Sequence, residues 1–114
     1  MLLTAIGFFS LAAILGMILI SYVLTNKNTP KGIAFTHGPI ATIGIILLII
    51  YAFFHHPSPL ISITLFVLAA FGGFLLIYRD ITGKSIPKWL AILHGLTAIT
   101  GFAFLLIFTF FTDF

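Results

Sequence analysis

Two histidines, His37 and His94, occupy the same place in two copies of one block, Pro-Lys-x-x-Ala-x-x-His-Gly-x-x-Ala-x-x-Gly, at residues 30–44 and 87–101. An imidazole can bind a metal, move a proton or make a hydrogen bond, and its neighbours narrow that choice. Ala34, His37, Ala41, Gly44 and Leu48 recur at intervals of three and four, which puts them on one face of a helix. Ala91, His94, Ala98, Gly101 and Leu105 repeat that face. Each face is a stripe of small residues carrying a single imidazole, an arrangement with room beside a potential ligand.

The elements that position these faces follow from composition. The chain has 114 residues, 61% of them hydrophobic, with 5 Lys+Arg and 2 Asp+Glu. Soluble domains carry about 25% charged residues, so seven charges cannot cover a water-facing surface, and the mean hydropathy of +1.31 points to lipid as solvent. Four apolar segments, at 2–23, 33–54, 60–78 and 89–111, are each long enough to cross a hydrocarbon core of about 30 Å as a helix. They lack the alternation of barrel strands. The first has neither a basic leader nor a small-residue cleavage site and reads as a retained helix. Proline at the first helical turn marks where the second and fourth helices begin.

Shifted by 57 positions, the chain matches itself at 22 of 57 residues, against about 5 expected by chance for this composition. The matches include Thr25/Thr82, Lys27/Lys84, Pro30/Pro87, Lys31/Lys88 and the histidine blocks. The expected fold is therefore all-α: one transmembrane domain, 1–114, built as an up-down four-helix bundle from tandem two-helix repeats, 1–57 and 58–114. A pseudo-twofold axis would run along the membrane normal, with the second and fourth helices on one diagonal. All five basic residues, Lys27, Lys31, Arg79, Lys84 and Lys88, lie in the first and third connections. The positive-inside rule makes those loops cytoplasmic and puts both termini outside, as in a bacterial inner membrane. Tyr22, Tyr78 and Trp89 would mark the inner interface. The 14 Phe are expected chiefly to face lipid or fill the core.

Each histidine follows its lysine by six residues, about 9 Å along a helix and inside the hydrocarbon. An ionisable group there is costly unless partnered and usually faces the bundle interior. With neighbouring helices 8–10 Å apart, two imidazoles reaching across a diagonal would leave about 4 Å between ring nitrogens, room for one metal at about 2 Å from each. A haem iron with His37 and His94 as axial ligands meets that requirement. Ala34, Ala41, Gly44, Ala91, Ala98 and Gly101 would leave space for the macrocycle, and Lys31 and Lys88 would neutralise its propionates.

These residues resemble the small four-helix b-type membrane cytochromes of the cytochrome b561 kind, whose helices supply paired axial histidines. His37-Gly38 and His94-Gly95 stand where such ligands would be. The resemblance implies one haem b and one-electron transfer with a quinone or redox protein. It leaves open whether the chain is an enzyme or an electron carrier, and whether it forms a homo-oligomer. Members usually are longer and often carry two haem sites; here there is one matched pair.

Other readings remain at this level: a histidine-based metal-ion or proton transporter or channel along the axis, and a structural or assembly subunit of a membrane complex. His55 and His56, in the outer turn, could join Asp113 in a second metal site or serve only as polar turn residues. Arg79 and Asp80 are expected to pair locally as a cytoplasmic anchor. Ala12/Gly16 and Ala69/Gly73, inside the repeated Phe-x-x-Ala-Ala-x-x-Gly of the first and third helices, are expected to serve close helix packing. The absence of cysteine removes disulfides and iron–sulfur ligation. No span contains Asp or Glu, which argues against acid-coupled antiport. There is no Ser-His-Asp set or phosphate loop, and scattered basic residues make no nucleic-acid face.

Overall fold

The computed structural model describes residues 1–111, so the suggested role of Asp113 beside His55 and His56 lies outside the described residues. The chain forms four helices, α1 (Leu2–Leu24), α2 (Lys31–Phe54), α3 (Leu60–Ile81) and α4 (Lys88–Phe111), each long and apolar enough to cross a membrane. They form an up-and-down bundle with extents of 47 × 19 × 19 Å, close to the thickness of a bilayer with its headgroups, about 40–45 Å. α1 packs chiefly on α2 and α3 on α4; α1 against α4 and α2 against α3 close the ring, leaving α1–α3 and α2–α4 as diagonals. Below, the end carrying the α1–α2 and α3–α4 turns, where all five basic residues lie, is the basic end.

The helices begin earlier or run longer than apolarity alone suggests. Pro30, extended at φ −66, is the N-cap of α2, and the helix starts at Lys31 rather than at the first apolar residue. α3 continues through Arg79 and Asp80 to Ile81, because Arg is a good helix former and a single Asp, low on that scale, does not end a helix already formed. Both turns at the basic end are Schellman motifs. Asn26 and Gly83 take the left-handed conformation, at φ 59 and φ 75. The amides of Lys27 and Lys84 then reach back to the carbonyls of Tyr22 and Arg79, each at 2.9 Å.

Polar side chains inside the helices are satisfied locally, as an apolar solvent requires. Thr42, Thr64, Thr97 and Thr109, for example, donate to the carbonyl four residues earlier, at 2.8–2.9 Å. Their presence costs the bundle no buried unpaired hydroxyl. Pro39 lies within α2, where it cannot donate to the carbonyl of Phe35.

Helices in lipid gain little from hydrophobic exclusion and depend on close packing. Here the packing centres on Phe9 of α1 and Phe66 of α3, whose rings stack across a diagonal with centroids 3.9 Å apart and planes at 4°. Ala5, Leu48 and Leu105, each 0% exposed, join them. Two glycines admit the rings. A Cβ on Gly44 would lie 2.8 Å from Cζ of Phe9, and one on Gly101 would lie 3.4 Å from Phe66 and 3.2 Å from Cβ of Leu65. Gly44→Ala should therefore displace Phe9 and destabilise the bundle by about 1–3 kcal/mol, read as a lower thermal midpoint in detergent. Gly38→Ala, on the same helix with nothing within 4 Å of the new Cβ, should leave the midpoint unchanged or slightly raised.

Candidate functional site

The small-residue stripes turn His37 of α2 and His94 of α4 toward each other along the second diagonal. Their ring centroids are 6.2 Å apart and their planes lie at 81°. Nδ1 of His37 is 2.8 Å from the carbonyl of Ala12, and Nδ1 of His94 is 2.7 Å from the carbonyl of Ala69. A carbonyl can only accept, so each Nδ1 carries the hydrogen and donates. In the neutral imidazole this leaves Nε2 with its lone pair free to act as a base or metal ligand. A backbone carbonyl on the remote ring nitrogen is also the partner that commonly orients a metal-bound histidine.

Each carbonyl is accessible because of the glycine one turn later. In a helix, a side chain leans back over the preceding turn, so a residue at position 16 would cover the carbonyl at position 12. Gly16 leaves it uncovered, and Gly73 does the same for Ala69. The rings lie in the space so made: a Cβ on Gly16 would come within 3.0 Å of Cε1 of His37, and one on Gly73 within 3.2 Å of Cε1 of His94. The two small-residue pairs expected to serve only packing are thus the seats of the histidines. One sequence signal pointed that way: both seats precede their histidine by 25 residues, and the Ala-x-x-x-Gly spacing survives in both copies.

The remaining residues of the stripes divide. Ala91 is buried and Ala34, Ala41 and Ala98 are half-buried, whereas Gly44 and Gly101 are taken up by the phenylalanine rings one layer farther from the basic end. Lys31 is engaged: its Nζ lies 2.5 Å from Oδ1 of Asp80 and 3.2 Å from Oγ1 of Thr29. Thr29, 8% exposed, donates to Oδ2 of the same carboxylate at 2.5 Å. The expected Arg79–Asp80 pair does not form. Successive helical side chains point in different directions, so Asp80 turns to Lys31 while Nε of Arg79 donates to the carbonyl of Ser85 at 2.8 Å. Lys88, one repeat beyond Lys31, has no polar partner among the described residues.

At the far end His55 stacks on Tyr51, centroids 4.4 Å apart, and His56 Nδ1 lies 3.4 Å from the hydroxyl of Ser58. Both histidines are exposed. Among the described residues no three His, Cys, Asp or Glu side chains gather as a metal-binding group, there or at the His37–His94 pair.

That count bears on what the paired histidines suit. A bare zinc-like ion asks for three or four protein donors, whereas a metal that brings its own equatorial ligands asks for two. Two bonds of about 2 Å, plus about 1 Å from each ring centre to its nitrogen, need centroids about 6 Å apart, in line with the 6.2 Å found. The centroid spacing is thus of the size that two imidazole donors to one metal would need.

If Gly16 makes the seat, Gly16→Ala should weaken the His37–Ala12 hydrogen bond and Gly16→Val should abolish it. The check is the imidazole Nδ1–H resonance of His37 by proton–nitrogen NMR in detergent. Gly7→Val, with nothing within 4 Å of the new Cβ, should leave it in place. No family model, no curated protein and no solved structure matches the chain.

Proposed function

We propose that the chain is an integral membrane haem protein in which His37 and His94 are the axial ligands of one haem b, with one-electron transfer to or from a quinone or redox protein as its activity. One observation carries this reading: two imidazoles, each fixed through Nδ1 to a backbone carbonyl, face one another at 6.2 Å between centroids. Separate hydrogen-bonding roles would not call for that opposition. The 22 matches at a shift of 57 support descent from a duplicated hairpin, with the histidines related by a pseudo-twofold axis normal to the membrane. The basic loops would lie in the cytoplasm and both termini outside, as in a bacterial inner membrane.

When bound, the haem iron would supply the reversible one-electron step; the protein supplies position and surroundings. The carbonyls of Ala12 and Ala69 hold the proton of each ring on Nδ1 and leave Nε2 free to bind the metal. Ala34, Ala41, Ala91 and Ala98 beside the histidines are the small residues that would border the haem, since the space at Gly16 and Gly73 is taken by the imidazoles themselves. Of the two lysines suited to the propionates, Lys31 is held by Asp80, which leaves Lys88 as the freer cation. Phe9, Phe66, Leu48 and Leu105 fill the axis beyond the histidines and keep water out from that side. The same filling favours a resident cofactor over a metal-ion or proton path along the axis.

Protein expressed with sufficient haem should purify coloured, with one haem per chain and a low-spin spectrum that sharpens on reduction. His37→Ala or His94→Ala should each abolish the low-spin form, because a single remaining imidazole cannot supply both axial bonds. A colourless wild-type protein, or a spectrum indifferent to both substitutions, would refute the proposal.

A further inference from the structure

The histidines are hydrogen-bonded only within their own hairpins, His37 to α1 and His94 to α3. Among the described residues no hydrogen bond joins the two hairpins in the histidine layer, so how far apart the two rings stand depends on what holds one hairpin to the other. Two features on either side of the layer do so. Farther from the basic end, the Phe9–Phe66 stack joins α1 to α3 and presses on Gly44, seven residues past His37 and about 10 Å along α2. Toward the basic end, Asp80 of α3 joins Lys31 of α2 and Thr29 just before it. Lys31 is six residues before His37, and Asp80 is seven past Gly73, the seat of His94; each separation is about 9–10 Å.

This polar contact occurs once. The positions equivalent to Asp80 and Thr29 in the other repeat are Val23 and Ile86, so the α1–α4 seam has no counterpart. Among the described residues Lys31–Asp80 is the one salt bridge. Its acid is well enclosed, at 12% side-chain exposure against 47% for the lysine, and its two oxygens are taken by groups on either side of the α1–α2 turn's exit. An ion pair open to water contributes little. This one is reinforced by a hydrogen bond from a buried threonine and sits where no covalent connection joins α2 to α3.

We propose that Asp80 is a positioning residue for the histidine pair: by clamping Thr29 and Lys31 it sets the separation of the two hairpins at the basic end, and so the span available between His37 and His94. Its consequence for axial ligation rests on the haem reading; its consequence for hairpin spacing does not.

The test uses both properties. The chain has no cysteine, so Lys27→Cys and Lys84→Cys in the full-length protein give one spin label on the equivalent turn of each hairpin. Pulsed electron spin resonance without haem should show a single narrow distance. Asp80→Asn should lengthen and broaden it, Thr29→Val should do so to a smaller degree, and the exchange Lys31→Asp with Asp80→Lys should restore it. In the haem-loaded protein Asp80→Asn should lower haem affinity about tenfold and convert part of the low-spin signal to high spin, again recovered by the exchange. If Asp80→Asn does not yield folded protein, Thr29→Val and the exchange carry the comparison. A label distance unchanged by these substitutions overturns the proposal. A distance that changes while no variant binds haem upholds the clamp and overturns the haem reading instead.

Discussion

An imidazole in an apolar interior must find a hydrogen-bond partner within the chain, and here the partner is the backbone of the preceding helix. That requirement organises much of the molecule. The carbonyls of Ala12 and Ala69 already belong to helical ladders, and they accept a second hydrogen only because the following turn carries glycine. The glycine brings α1 close to α2 and α3 close to α4, so the hairpin packing and the ring orientation have the same origin. Phe9 and Phe66 lie one turn earlier on the same helix faces, and they find space against the glycines that follow each histidine by seven residues. The layers of the bundle thus succeed one another by small residues admitting large ones, alternately from each side of the hairpin.

The bundle was largely legible in the sequence because apolar length and turn composition are strong signals, and the repeat supplied each helix pair twice. The facing of His37 and His94 followed from the repeat and from the cost of an unpartnered imidazole in hydrocarbon. Their hydrogen-bond partners did not, because a carbonyl is present at every position and only the bare turn at Gly16 or Gly73 singles one out. The assignment of Gly44 and Gly101 to the phenylalanines was hidden for a related reason. A stripe of small residues indicates that something large lies opposite, but it does not say whether that is a ligand or a ring from the chain itself.

The clamp escaped for a different reason. Reading one half against the other emphasises what the halves share, and Asp80 is a departure, opposite Val23 in the alignment. Sequence adjacency then offered Arg79 as partner, whereas the helix turns the two side chains apart. Lys31 is more than forty residues away in the chain and is brought near only by the closing of the ring. Where two halves of a chain match, the shared positions build the scaffold, and the unmatched polar ones distinguish the two seams.

The depth of the histidine layer has an electrical consequence. In a bilayer, the layer would lie about 9 Å from the basic end of an apolar thickness of about 30 Å, with the packed aromatic layer on its other side. A charge arriving from the basic end would therefore traverse roughly a third of the transmembrane field. At about 2.3 kcal/mol per charge for 100 mV across the full membrane, that is about 0.7 kcal/mol. An energised membrane would therefore shift the occupancy of such a site by a charge from the near side only about threefold per 100 mV.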